Sequence, residues 1–389
     1  MSLTASPRAY LDHNASAPLL PAARDAMLAA LEADANPSSV HADGRAARRI
    51  VETARRDVAA LCGADPEHVV FTSGATEAAN MALTPHYRMG RSPLRVSHLH
   101  VLASDHPCLL GGGQFAPERT TVIPVTPDGL ADMAALARAL ENHDMETGLP
   151  MVAVHAANNE TGVIQPLAEI AALVADAGGI LVVDAVQAAG RMPIAISAGY
   201  GDFLVLSAHK IGGPRGAGAL VARAPVLMPE PLLRGGGQEK GHRAGTENVA
   251  GIAGFGAAAL AVSDLGAMDS VAKLRDRFEA ALTGMVTDVM IHGAQAPRLP
   301  NTSFFTLPGM KAETAQIALD LAGLSVSAGS ACSSGKVGPS HVLQAMGADT
   351  RDGALRVSIG RQTREDEIAR LLAEIGRLAE RRRGETAAA

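Results

Sequence analysis

The chain has 389 residues, 47% of them hydrophobic and 19% charged, with a formal net charge of -6. That length accommodates two domains with a large core, and the acidic balance gives no support to a nucleic-acid-binding surface. No run of about 18 uninterrupted apolar residues is present to span a membrane, and the first residues lack a signal-peptide apolar core. The three cysteines, Cys62, Cys108 and Cys332, are too few and too widely spaced for a disulfide scaffold or a zinc knot. The expected location is the cytoplasm.

In chain order, Tyr10-Leu11-Asp12-His13-Asn14-Ala15 reads as an extended arm. A helix is predicted over 21–34, with Pro21 suited to its first turn. A second, over 44–61, stops at Cys62-Gly63, where glycine can take a left-handed cap and Cys62 packs at the helix end. From His68 the pattern becomes strand, glycine turn, helix: His68-Val69-Val70-Phe71, then Thr72-Ser73-Gly74-Ala75-Thr76-Glu77. Small residues and hydroxyls opening a helix make an anion site, because free amides and the helix dipole converge there. The plainer reading is an ordinary helix start, with Glu77 supplying first-turn charge.

Further strands are predicted near 99–103, 121–125, 151–155, 179–184 and 203–206, with helices near 130–139 and 167–177. Alternation on this scale implies an α/β fold with a mostly parallel sheet covered on both faces. Ligands then bind beyond the carboxyl ends of the strands, where His106, Asn159, Asp184, Ser207, His209 and Lys210 fall. The loop 234–248 is rich in glycine and charge, but no Gly-Lys-Ser/Thr follows its triple glycine, which excludes a nucleotide loop. One long helical region is expected over 248–285, followed by a smaller unit with strands near 289–291, 303–306 and 355–359 and helices near 312–321, 340–345 and 365–382.

Lys210 directly follows the apolar strand Leu204-Val205-Leu206-Ser207. A lysine there either snorkels to water or is kept as a usable amine. Asp184 closes another apolar strand, and a lysine one strand from a carboxylate is what pyridoxal phosphate needs: the amine for its aldehyde, the carboxylate for its ring nitrogen. Cys332 stands among small residues, Gly329-Ser330-Ala331-Cys332-Ser333-Ser334-Gly335, with Lys336 and His341 nearby. A reactive thiol sits on such an exposed loop near cations, although a small loop residue would read the same way. Cys108 is followed by two leucines and reads as buried and inert.

Taken together these stretches, with Asn36-Pro37-Ser38-Ser39-Val40-His41, Asn158-Asn159-Glu160-Thr161-Gly162, Val183-Asp184-Ala185-Val186-Gln187 and Arg243-Ala244-Gly245-Thr246-Glu247-Asn248, resemble a cysteine desulfurase of the class V aminotransferase family. These are fold type I pyridoxal-phosphate enzymes. The resemblance implies a large domain over 16–258 with a mostly parallel seven-stranded sheet. It also implies a smaller α+β domain over 1–15 and 259–389 that carries the cysteine loop. Lys210 would hold the cofactor, Asp184 its pyridine nitrogen, and Asn159 and Gln187 its phenolic oxygen, with His106 stacked on the ring and handling protons. Ala75, Thr76, Ser207 and His209 would bind the phosphate, joined by Thr246 from the partner of a homodimer. Arg356 would clamp the carboxylate of L-cysteine, assisted by Asn159.

Cys332 would take the sulfur as a persulfide, releasing L-alanine, and pass it to an acceptor protein such as a scaffold for iron-sulfur cluster assembly or a partner in tRNA thiolation. No resident metal is expected, Cys332 being at most a transient cluster ligand, and neither nucleic acid nor membrane is an expected direct partner. A selenocysteine lyase or another class V enzyme would keep Lys210 and Asp184, and an aminotransferase would not need Cys332. A non-catalytic assembly scaffold would tolerate loss of the lysine or the thiol, yet both are present.

Overall fold

The computed structural model describes residues 7–329 and 339–388, with side chains to Arg382. The central sheet has the order Thr120–Ile123, Ser92–Leu102, Leu149–His155, Ile180–Asp184, Phe203–Ser207, Gly218–Ala222, Val69–Thr72. The four pairings among the first five strands are parallel and the last two pairings antiparallel. This is the mostly parallel seven-stranded α/β sheet that the sequence implies. Its inner strands are apolar and buried end to end, because helices cover both faces. One face packs on Ala42–Leu61, Leu167–Asp176 and Val249–Val262, the other on Ala75–Ala82. Two short strands, His86–Met89 and Leu227–Pro229, extend the sheet to nine. His86–Met89 carries one buried residue among three exposed ones, too weak an alternation to mark it in the sequence.

A second core gathers around an antiparallel sheet of Met290–Ile291, Thr302–Thr306, Leu355–Ser358 and Ser327–Ala328. Phe278, Phe305, Leu319, Leu371 and Ile375 fill it from the sheet and from helices Ala267–Met285, Ala312–Leu321 and Glu365–Ala388. The N-terminal arm joins this core, with Ala9–Tyr10 pairing parallel to Leu324–Ser325 and Asp12 bridging Ser358.

The long helix expected over 248–285 is two helices, Val249–Val262 and Ala267–Met285, bent by 77°. Around the bend Ser263 Oγ donates to the Leu260 carbonyl, and Asp264 accepts from the Gly266 amide. These side chains offer the backbone an alternative to continuing the helix. Ala258, Ala259 and Val262 pack in the large core and Met268 and Val271 in the small one. The change of core therefore falls after Val262.

His98 and His100 share one face of strand Ser92–Leu102, their ring centroids 4.9 Å apart, with His143 6.4 Å from His98. His100 is buried, and neither of its ring nitrogens has a hydrogen-bond partner. Burial, then the neighbouring His98 and His143, pull its pKa down to about 4. The folded state thus holds this ring neutral while the unfolded chain titrates near 6.5, so stability is intact above pH 6.5 and is lost as pH falls toward 4. Between pH 7 and pH 5 this one group should cost about 2 kcal/mol. His100→Phe should remove that part of the loss, read by urea unfolding at both pH values. Equal losses in variant and wild type would show that His100 is not the titrating group.

Candidate active site

The carboxyl ends of the parallel strands deliver the polar side chains. Ile180–Asp184 ends in Asp184, and Phe203–Ser207 ends in Ser207, followed by one 3-10 turn, Ala208–Lys210. Strand Leu149–His155 leads to Asn159, and Ser92–Leu102 leads to Asp105 and His106. Ala75, Thr76, His106, Asn159, Asp184, Gln187, Ser207, His209 and Lys210 line one cavity of about 450 Å³. Arg356 lies beside it rather than on its wall. Thr246 is exposed on this chain and does not line the cavity. Cys332 lies outside the described residues, as does Lys336.

Lys210 Nζ donates to the carbonyls of Asn14 at 2.6 Å and Ala15 at 3.0 Å, so the amine is held inside the site rather than led to water. Asp184 is buried; its Oδ1 accepts from the Val186 amide at 2.9 Å, and the Cys108 thiol lies 3.9 Å from its Oδ2. Burial pushes the Asp184 carboxyl up, with His106, the Val186 amide and His155 opposing and Asp105 adding. A cationic ring N–H is the partner such a carboxylate suits. His106 is drawn below the ordinary histidine value, chiefly by burial, against the pull of Asp184. Its Nδ1 accepts from the Cys108 amide at 3.2 Å, so the neutral ring carries its proton on Nε2. Cys108, expected to be buried and inert, is half-buried and packs against the apolar cluster with its thiol toward Asp184 on the cavity wall; burial with the Asp184 and Asp105 charges keeps it a thiol.

At the other end of the cavity, helix Ala75–Ala82 starts at Gly74 with no side-chain cap. Its first amides are therefore available. A Cβ added at Gly74 or Gly216 would meet nothing within 4 Å, whereas at Gly218 it would stand 2.6 Å from the Gly74 Cα. Gly218 thus lets the turn lie against its strand, and the other two leave open space. His209 is pulled down to about 4 by burial, then Lys210 and Arg215. Arg215 lines the same cavity and was not marked in the sequence. Glu77 also supplies the first-turn charge of the plainer reading, accepting from the Ser73 amide ahead of the helix at 2.8 Å and from Arg243 at 2.9 Å. A buried carboxylate, an amine and an uncapped helix start set among cations fit a phosphorylated pyridine aldehyde: Asp184 at the ring nitrogen, Lys210 at the aldehyde, and Ala75, Thr76, Ser207 and His209 at the phosphate.

Arg356 is 1% exposed. Its Nη1 donates to the Asn159 carbonyl at 3.0 Å, and its Nη2 to Asp12 at 2.8 Å and to Ser327 at 3.1 Å. It is therefore a buried, oriented guanidinium and not a surface strand charge. Its ion pair with Asp12 spans 344 positions, beyond any local sequence signal.

The chain matches known proteins along most of its length. The aminotransferase class-V family profile matches residues 9–371, and the chain belongs to that family. It is 42% identical over 380 residues to a cysteine desulfurase of Cereibacter sphaeroides, covering 94% of each. It is 41% identical over 387 residues to a cysteine desulfurase of a Frankia species, covering 92% of this chain and 88% of that one. A solved NifS-like protein of Rickettsia africae superposes with a TM-score of 0.85 at 31% identity, over 96% of this chain and 99% of that one.

The loop carrying Arg243 and Thr246 is pinned by Glu239. This buried carboxylate takes both Arg55 Nη1 and Nη2 and the Phe71 amide, each at 2.8 Å. The pairing holds Glu239 and Lys240 at φ of 48° and 56°, the left-handed region. Glu239→Ala leaves Arg55 buried beside Phe71 without that carboxylate. It should cost about 3–5 kcal/mol of stability in urea unfolding, whereas Lys240→Ala should change stability by no more than about 0.5 kcal/mol. A loss below about 1 kcal/mol for Glu239→Ala would mean the pair does not hold the loop.

Proposed function

We propose that this chain is a pyridoxal-phosphate-dependent cysteine desulfurase, acting as a cytoplasmic homodimer and converting L-cysteine to L-alanine with transfer of the sulfur to Cys332. The observation that carries this reading is the placement of Lys210 and Asp184 on one cavity, with Arg356 buried against the backbone of Asn159 at its side. The names of the relatives at about 40% identity support it, as does the cysteine in the segment after Gly329. The exposed Thr246 is free of this chain's own cavity and suits a role in a partner's. The free Cys62 and Cys108 suit a reducing compartment.

Pyridoxal phosphate held at Lys210 supplies an electron-withdrawing ring that stores the electron pair left when the substrate loses its α proton. Asp184, buried and braced by the Val186 amide, would hold the ring nitrogen in its protonated form. Lys210 would hold the aldehyde and is placed to carry the α proton, and neutral His106 can give or take a proton at Nε2. Arg356 orients the substrate carboxylate; its planar fork suits two parallel bonds, and Asp12 must share the guanidinium or turn aside. The Cys332 thiolate forms an S–S bond with the substrate sulfur as the C–S bond breaks. The electron pair passes to the carbon side and is protonated there, giving alanine and a persulfide. A protein acceptor such as a cluster-assembly scaffold then takes the outer sulfur.

Cys332→Ala should still bind L-cysteine, read as a change in cofactor absorbance, yet form almost no alanine and no persulfide, while Cys108→Ala keeps the sulfur transfer. Full activity of Cys332→Ala would make the nucleophile assignment wrong. If it loses cysteine activity but keeps selenocysteine activity, the thiol serves sulfur transfer alone. Arg356→Lys keeps the charge and loses the fork. Its apparent affinity for cysteine should fall by about 1.5–3 kcal/mol, the worth of a charged hydrogen bond, and an unchanged affinity would move the clamp elsewhere.

A further inference from the structure

Three buried residues beside the cavity, Asp105, His155 and Gln165, have no part in the chemistry above. The Gln165 amide has a fixed orientation: its Oε1 accepts from the Ala131 amide and its Nε2 donates to the Gly129 carbonyl, both at 2.9 Å. The same Nε2 stands 3.0 Å from His155 Nε2. An amide nitrogen only donates, so His155 Nε2 accepts and carries no proton. The proton of that ring is therefore on Nδ1, which meets Asp105 Oδ1 at 2.5 Å. Asp105 receives two further donors, the His155 amide on Oδ1 at 2.8 Å and the Leu102 amide on Oδ2 at 2.7 Å. Three N–H groups aimed at one carboxyl favour its ionised form.

His155 and Asp184 pair in register on adjacent parallel strands, and both line the cavity. This end of the site thus holds two carboxylates, Asp105 and Asp184, between neutral rings: His155 accepts from Gln165, and His106 accepts from the Cys108 amide. The Cys108 thiol faces Asp184, and the other charged or titratable groups on the cavity are Glu77, His209, Lys210 and Arg215. From the smaller domain, His341 reaches the Asp105 carbonyl. Burial is the main push on the Asp184 carboxyl and the Asp105 charge adds to it, whereas His155 opposes that push only as an imidazolium, the form Gln165 excludes. An imidazolium there would also pair with Asp105 and cancel its charge.

We propose that Asp105 and His155 are positioning residues that act through Asp184: Gln165 locks His155 as the neutral ring protonated on Nδ1, and the Asp105 charge, left uncancelled, tightens the hold of Asp184 on the proton of the cofactor's ring nitrogen. In a buried site such a charge is felt with little screening, and the cation this end of the cavity lacks is that ring N–H.

The consequence for the cofactor rests on the desulfurase reading; the lock on His155 does not, so two measurements separate them. In the purified protein labelled with nitrogen-15 in its histidines, magnetic resonance at neutral pH should show His155 protonated on Nδ1 and bare on Nε2. Gln165→Glu puts a carboxylate oxygen where the amide nitrogen stood, and His155 Nε2 should then gain a proton. A wild-type His155 with a proton on Nε2, or a Gln165→Glu protein whose Nε2 stays bare, would overturn the lock. The second measurement follows the ring nitrogen of labelled pyridoxal phosphate in the holoenzyme. The pH at which it loses its proton should fall by about one unit in Asp105→Asn, the ordinary scale of such shifts in folded proteins. Gln165→Glu, with an imidazolium beside Asp184, should shift it the same way by less. His155→Asn, whose Nδ2 can still donate to Asp105, should match wild type. An unchanged pH in Asp105→Asn would overturn the action through Asp184; should that variant fail to fold, an unchanged pH in Gln165→Glu would do so. A wild type that binds no pyridoxal phosphate would overturn the desulfurase reading and the consequence drawn from it, and the histidine signals would still decide the lock.

Discussion

The constraint on which the site depends is the burial of Asn14. This residue is wholly buried in the arm that joins the smaller core, yet its polar groups are engaged. Its amide donates to Ser358 Oγ at 3.0 Å, and its Nδ2 to the Asn159 carbonyl at 3.2 Å and Thr302 Oγ1 at 3.0 Å. Its Oδ1 accepts from Asn301 at 3.0 Å, and its carbonyl from Gln187 at 3.0 Å and Lys210 at 2.6 Å. Leaving any one of these buried groups unmet would cost roughly 1–3 kcal/mol. A network satisfied at every member fixes one arrangement of the groups it joins. Here it joins the two cores, and it does so at the residues that line the cavity.

The same economy of partners explains the electrostatics of the site. The cavity holds a buried carboxylate, a lysine and neutral histidines within one low-dielectric space, where each charge is costly unless opposed. Asp184 and His106 moderate each other, while burial, then Lys210 and Arg215, keep His209 neutral. Such opposed pulls are a mark of sites built to accept a charged ligand. The ligand chemistry that suits them is anionic at the helix start and cationic at Asp184.

The sheet and the cavity-facing residues were legible in the sequence because they rest on local patterns. Apolar runs that end abruptly in Asp184, Ser207 or Asn159 mark strands whose carboxyl ends meet, and the parallel topology brings those ends together without any knowledge of long-range contacts. What stayed hidden depends on pairings the sequence does not place side by side. Asp12 meets Arg356, and Glu239 meets Arg55, across the length of the chain. The break at residues 263–266 was masked by alanine-rich flanks that read as one helix. Leucine neighbours report the apolar packing of Cys108 but not that its thiol also reaches the cavity wall beside Asp184.

The arm residues Asp12 and Asn14 show why the smaller domain belongs to the chemistry. The extended run expected through Ala15 gives way to a turn after Asp12, whose carbonyl accepts from the Ala15 amide at 3.1 Å; the residue 13 ring lies against Tyr10 and the Gly360 backbone, while 12 and 14 meet the groups of the site. One of them meets Arg356 and the other supports Lys210 and Gln187. A shift of the arm would move the candidate carboxylate clamp and the amine together, in register. The candidate carboxylate clamp and the amine thus share one mechanical reference: the seam where the two cores meet.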